Sequence, residues 1–416
     1  MSSSAHRIDS EQKTLVETMK AILRLSDNSV TDHNHILRYG AYHTKVIPLA
    51  LALLDYGHNP ESLSRNLWMH LLNDVDNIEE LSQFLAPAGG SFQSVSRSFA
   101  RVANLQGASP IRPLTWQSVA IRFQQSVKLM KALLEWTLTF FRDLLIPIMA
   151  KGRTPTPASV VSTASRNQKG LKKKLIERDG WFSPVGYVMD FDAPAHITPL
   201  PAGGTAVLEA AHIIPFSASK NLALRRKIAI FTGQDMESLL AGDNINDPSN
   251  ALLLSPTTHE YFGNFRFSLE CRNKKYFIRR LVEARLLPTE LLNHADGDEI
   301  LFGHECQEIA KPSSLLCNVH LAVGLVLRNS GVAEMIGKIL QDEDDFDDGN
   351  ADGDHWFQVS ASYLDRKLRA LQDFDGLNMD ETDDTMDADT DGNLSVSGTY
   401  AMRIGAGNSY RQCMAA

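Results

Sequence analysis

The chain is poor in cysteine. Its 416 residues hold only Cys271, Cys306, Cys317 and Cys413, no two of them in Cys-x-x-Cys spacing. That scarcity argues against a disulfide framework and against a structural zinc ribbon, both of which need closely spaced pairs. Long apolar runs are missing too. The most hydrophobic stretches are residues 46–54, too short to span a bilayer, and residues 129–150, interrupted by Lys131, Glu135, Arg142 and Asp143. Neither reads as transmembrane, and no membrane partner is expected. The opening Met-Ser-Ser-Ser-Ala-His-Arg-Ile-Asp lacks the apolar core of a secretory signal, so an intracellular protein, nuclear or cytoplasmic, is expected. At 43% hydrophobic residues the composition is that of a globular protein with a sizeable core, and the length leaves room for two or three domains.

Net positive charge is also lacking, but only on average. The chain carries −9, yet residues 341–416 hold eighteen acidic against five basic residues, a balance of −13, which leaves +4 on residues 1–340. The central region gathers its basic residues in three clusters: Lys169 to Lys174 with Arg178, Arg225 to Lys227, and Arg272 to Arg280. Such clusters suit sequence-independent contacts to phosphate, with solvated helix and hairpin faces as the alternative. Lys172, Lys173, Lys174, Arg225, Arg226, Lys227, Lys274 and Lys275 are the candidate nucleic-acid contacts.

Apolar spacing and breakers divide the chain into a helical region (1–153), a Thr/Pro/Ser-rich linker (154–170), a central module (171–285), a helical extension (286–340) and an acidic, mostly disordered tail (341–416) with a helix at 360–371. Inside the module, residues 187–191 and 205–212 read as the strands of a first hairpin and 222–240 as a helical insertion. Residues 265–271 and 276–282 alternate around Arg272-Asn-Lys and read as a second hairpin. The His33, His35 and His43 cluster reads as a helix start and its exposed face, not as a metal site. In the tail, Asp387, Asp389, Asp391 and Gly392 copy half of a calcium loop, but Gly398 stands where a bidentate Glu belongs, so this is a solvated acidic tract.

The chemistry-bearing residues lie in apolar surroundings. His212 sits in Leu208-Glu-Ala-Ala-His-Ile-Ile-Pro-Phe-Ser217, Asn250 in Asp-Pro-Ser-Asn-Ala-Leu-Leu-Leu, and His259 in Ser-Pro-Thr-Thr-His-Glu-Tyr-Phe. Polar groups inside apolar runs must find partners or bind something. Hydrolysing a phosphodiester needs a base for water, a cation for the developing charge, and a group that keeps the base in register. Neutral histidine can serve as that base near neutral pH. In order and flanking residues the three segments closely resemble the HNH endonuclease family, in particular a fungal-type branch with an Ala-His-Ile-Ile-Pro first motif; the resemblance covers residues 172–269. It implies an α+β chain with a ββα-metal core between mainly helical regions. It also implies a general base at His212, an orienting amide at Asn250, and a metal ligand at His259 near the start of a helix that Ser255-Pro256 would cap.

The sequence departs from the family at two positions. Ala211 occupies the place of a second ligand just before the base, and Gly263 the place of a further ligand one helical turn after His259. Alternation along a strand puts Glu209 on the same side as Ala211, which makes Glu209 the substitute metal ligand. Imidazole with carboxylate does not choose strongly among divalent ions, so Mg²⁺ is expected, with Mn²⁺ and Zn²⁺ as alternatives. A second Ala-His-Ile-x-Pro, at Ala195 to Pro199, lies among loop residues, and its His196 reads as a loop histidine. The function expected from the resemblance is metal-dependent cleavage of DNA. The alternatives are a noncatalytic nucleic-acid-binding module with a degenerate HNH site and a helical interaction protein.

Overall fold

A computed structural model describes residues 16–17, 19–20, 23–24, 36–39, 42–72, 127–150, 168–197, 204–303, 306 and 308–344. Residues 154–167 of the expected linker, the calcium-loop motif and the helix at 360–371 lie outside the described residues, whereas residues 168–170, assigned to the linker, open a helix. The architecture is mixed helix and small sheets, an α+β arrangement.

In the N-terminal part, strands β1 (Ile36–Tyr39) and β2 (Tyr42–Lys45) form an antiparallel hairpin. This corrects the reading of residues 1–153 as a helical region, and of His43 as part of a helix. Tyr39 pairs with Tyr42 and Leu37 with Thr44, the aromatic and β-branched composition that favours cross-strand pairing, and His43 lies on β2. Helix α1 (Val46–Tyr56) is buried through most of its length. It ends at the Gly57-His-Asn-Pro60 break, where Asn59 Oδ1 accepts from Ser62 N (2.9 Å) and so caps α2 (Pro60–Leu72). Helix α3 (Val127–Phe140) runs on through a π-helical turn at Phe141–Leu145.

Helix α4 (Gln168–Asp179) buries Leu171 and Leu175, one turn apart, against a pair of strands. Those strands are β5 (Glu209–His212) and β6 (Ala251–Leu254), antiparallel with Glu209 opposite Leu254 and His212 opposite Ala251. The expected first hairpin is absent. Residues of β3 (Met189–Asp190) and β4 (Thr205–Ala206) pair in parallel over two positions, and β5 takes its partner from beyond the helical insertion. The physical reason lies in β6. Ala210 and Leu253 face α4, whereas Ala211, Leu252 and Leu254 face the main core, so β6 is buried on both sides and shows no alternation in sequence. The insertion divides into α5 (Leu222–Thr232) and α6 (Glu237–Leu240), with Gly233 left-handed (φ 68°) closing α5.

After β6 come α7 (Pro256–Gly263), the hairpin β7 (Phe267–Arg272) and β8 (Lys275–Arg280), and a short third strand, β9 (Glu299–Ile300), on the edge of that hairpin. The hairpin matches its reading from alternation; β9 does not appear in that reading. Helices α8 (Ser314–Ser330) and α9 (Val332–Asp344) follow, the second extending into the range assigned to the tail. No single helix among the described residues is long and apolar enough to cross a membrane. One apolar core runs from α1 through β5, β6 and the β7–β8 hairpin to α8 and α9. Helix α5 joins it too: Phe231 O accepts from Asn59 N (3.0 Å), and Lys227 Nζ donates to Thr139 Oγ1 (2.7 Å).

Candidate active site

The site is built on β5, β6 and α7. Ser255 caps α7 by accepting from Thr258 N (3.2 Å), and Pro256 occupies the first turn where its missing N–H costs nothing. His259, one turn in, stands over the start of β5. Its Nδ1 donates to Glu209 Oε2 at 2.8 Å, with side chains 19% and 39% exposed respectively. Glu209 and His259 are thus brought together. Ala211, on the same face, is fully buried in the apolar core.

His212 closes β5 at its other end. Its Nε2 lies 3.1 Å from Asn246 Oδ1, and its ring faces Phe216 with centroids 5.9 Å apart. Asn250, only 2% exposed, works on backbone. Its Oδ1 accepts from Ile214 N (2.9 Å), and its Nδ2 donates to Ile214 O (3.1 Å) and Ile245 O (3.0 Å). One amide therefore ties the segment just after His212 to the segment just before Asn246. Burying these groups unpaired would be costly, so the three bonds hold a defined geometry.

Arg178 and Asp179 underpin the same corner. Both are fully buried and joined at 2.7 Å. Arg178 also donates to Pro248 O (2.8 Å) and Ala251 O (3.1 Å), the carbonyls on either side of the Ser249-Asn250 dipeptide, and Asp179 Oδ1 accepts from Gly303 N (2.9 Å). A buried ion pair persists only when its remaining hydrogen-bonding capacity is met, as it is here.

The His259 side rests on rings. Phe262, on α7, stacks on His320 of α8 at 3.9 Å and 4°, and Phe265 stacks on the same imidazole at 4.3 Å. His320 Nδ1 meets Ser268 Oγ at 2.8 Å, and complete burial pushes its pKa down to about 3, so it is neutral. Arg328 of α8 donates to Asn264 O (2.9 Å) and Phe265 O (3.2 Å) at the end of α7. Gly324 of α8 leaves room for Phe265 and Leu281, since a Cβ there would lie 3.1 Å from Phe265 Cδ1 and 2.4 Å from Leu281 Cδ1.

Asn246 and His320 escaped the sequence reading. His320 carried a signal, a lone histidine in an apolar helical run; Asn246 looked like one turn residue among several.

The basic candidates divide. Lys172 pairs with the fully buried Asp190 (2.7 Å), Arg225 donates to Ala218 O and Ser219 O, and Lys227 lies over the Phe140 ring at 4.7 Å, its pKa lowered first by burial. Lys174, Arg226 and Lys274 are exposed, as are Lys173, which pairs with Glu177 (3.9 Å), and Lys275, which pairs with Glu299 (2.8 Å). His196 lies exposed in a turn.

Residues 188–270 match the family model of the HNH endonucleases, a segment that contains His212, Asn250 and His259. The match spans roughly a fifth of the 416-residue chain and supports an HNH-type, nuclease-related segment. No curated protein and no solved structure matches the chain.

A divalent cation can be tested against these residues. Among the described residues no group of three His, Cys, Asp or Glu side chains forms a ligand cluster. A closed zinc site, which takes four protein ligands, therefore does not fit. His259, its Nδ1 held by Glu209, keeps Nε2 for an open site, which fits an ion such as Mg²⁺ that retains several waters and takes its other ligands from substrate phosphate.

Proposed function

We propose that this protein is a metal-dependent HNH endonuclease that hydrolyses phosphodiester bonds in DNA, with β5, β6 and α7 as its ββα core. The observation that carries the reading is the Glu209–His259 contact of 2.8 Å at one end of β5, with His212 at the other end of the same four-residue strand. In this reading His212 removes the proton from the attacking water. Asn250 keeps His212 in register by fixing the backbone at Ile214. His259 and Glu209 hold the cation, which when bound would neutralise charge on the phosphoryl and leaving oxygens. In the bonded arrangement the Glu209 carboxylate fixes which nitrogen of neutral His259 carries the proton and leaves Nε2 as the metal-binding atom; to ligate the same cation Glu209 must give up that bond, because the two ring nitrogens point away from each other. Exposed Lys173, Lys174, Arg226 and Lys274 are the residues offered to the phosphate backbone.

The second reading, a noncatalytic nucleic-acid-binding module, draws on the buried methyl of Ala211 and the two-donor ligand set. Nicking of supercoiled plasmid in Mg²⁺, Mn²⁺ and Zn²⁺ separates them. The nuclease reading expects relaxed and linear products with the wild-type chain. DNA retention without cleavage in all three metals would overturn it in favour of the binding module.

A further inference from the structure

We propose that Phe191, with Val207 beside it, is a stacking platform for an unpaired base next to the phosphate that is cut, so that the enzyme selects DNA with a single-stranded or unstacked segment. The proposal rests on the nuclease reading of the Glu209–His259 end of β5 and names the class of DNA which that end takes. Behind it stands an inverted strand. At the end of β3 the carboxylate of Asp190 is fully buried, whereas the adjoining ring of Phe191 is 73% exposed. Burial alone favours the opposite choice, since an apolar ring gains by leaving water and an ionised carboxylate loses.

Three partners hold Asp190 inward. Lys172 Nζ of α4 pairs with its Oδ2 at 2.7 Å, its Oδ1 accepts from Asp192 N (2.9 Å), and its Oδ2 accepts from Leu208 N (3.2 Å). Successive side chains of an extended segment point to opposite sides, so fixing Asp190 toward α4 turns Phe191 away from it. The neighbouring segment behaves alike: Leu208 and Ala210 pack toward α4, which puts Val207 and Glu209 on the other side. Phe191 N donates to Ala206 O (2.8 Å), extending the register in which Asp190 lies opposite Ala206, and this brings Phe191 level with Val207, also exposed. An apolar pair therefore faces solvent on the same side as Glu209, with Val207 two positions, about 7 Å, before it.

A strand whose phosphate lies at Glu209 and His259 carries an adjacent base over this pair. Every base offers a flat π face, which an aromatic ring takes without regard to sequence. In a duplex those faces are covered by neighbouring bases, so only an unpaired or unstacked base is free to lie on Phe191.

The test measures binding by the full-length chain in EDTA, where nothing is cut, to a fluorescent mixed-sequence single strand and to the same strand annealed to its complement. The wild type is expected to hold the single strand more tightly. Phe191→Ala should weaken single-strand binding roughly 5- to 100-fold and duplex binding by less than about 2-fold, and Phe191→Trp should keep the wild-type preference. Leu301→Ala, which trims an apolar side chain of similar exposure just after β9, should change neither. Ultraviolet cross-linking of an iodouracil-containing single strand should mark the peptide that carries Phe191. A wild type without single-strand preference, equal losses on both DNAs, no loss in Phe191→Ala, or the same loss in Leu301→Ala would overturn the proposal. Unchanged DNA affinity with weakened self-association in sedimentation would overturn it too, by giving the pair to a second copy of the chain. A wild type that shows the Phe191-dependent preference yet cuts neither single-stranded nor plasmid DNA in Mg²⁺ or Mn²⁺ would instead overturn the nuclease reading.

Discussion

The His212 half and the His259 half of the candidate site sit at opposite ends of β5 and are supported by different forces. Around His212 the work is done by hydrogen bonds: Asn250 on Ile214 and Ile245, Arg178 on Pro248 and Ala251. Around His259 it is done by rings, with His320 between Phe262 and Phe265. Hydrogen bonds fix direction as well as distance, which suits a base that must aim at a proton. Stacked rings fix a helix as a body, which suits a ligand whose cation can adjust by keeping water. The partners differ as well. A neutral amide orients His212 without adding charge, whereas Glu209 puts a carboxylate where a cation would bind.

If the halves are separable in this way, their variants should fail differently. The largest effect is expected from His212→Ala, a loss of about 10³-fold in cleavage with metal and DNA affinity kept. Equal plasmid nicking by wild type and variant would remove the base assignment. Next, His259→Ala and Glu209→Gln should each weaken Mn²⁺ binding, by roughly 10- to 100-fold, in calorimetric titrations of the DNA-free protein. Unaltered affinity in both would leave the His259 half without a metal.

The supports can be broken without touching either histidine of the site. Asn250→Ala strands three buried backbone groups and should cost on the order of 3 kcal/mol in urea unfolding. His320→Gln should instead change how stability depends on pH. Because burial holds the His320 pKa at about 3 against an ordinary 6.5, the unfolded chain takes up a proton there that the folded chain refuses. Stability is intact above pH 6.5 and declines as pH falls toward 3, by up to about 1.4 kcal/mol per pH unit for this one group. His58, His70 and His294, also lowered chiefly by burial, act in the same direction. The slope between pH 6.5 and 5 should therefore flatten in His320→Gln, and parallel slopes would contradict a neutral, buried ring.

The smallest effect lies outside both halves. Deleting residues 373–416 removes nine acidic and two basic residues, a net −7, and should raise nonspecific DNA affinity at low salt. Screening, with a length of roughly 10 Å at 0.1 M salt, should erase the gain as ionic strength rises. Affinity unchanged by truncation at low salt would leave the tail no electrostatic role.

Short-range chemistry was legible in the sequence by itself. Ser255-Pro256 announced a capped helix, the Gly57-Pro60 break ended α1, and alternation around Arg272-Asn-Lys marked the β7–β8 hairpin, because capping, breaking and alternation are properties of neighbours along the chain. The same alternation put Glu209 on the side of Ala211, but that its carboxylate meets His259 was decided by the fold. Tertiary structure decided what depends on residues far apart. The partner of β5 is β6 and not the nearby segment 187–191, since a strand buried on both faces shows no period to read. Asn246 reaches His212 across 34 positions, and His320 reaches Ser268 across 52, through contacts that no local pattern encodes. Lys172, Arg225 and Lys227 turned inward for the same reason: a cationic side chain meets carboxylates, carbonyls and ring faces that only the folded chain brings within reach, and sequence charge alone carries no direction.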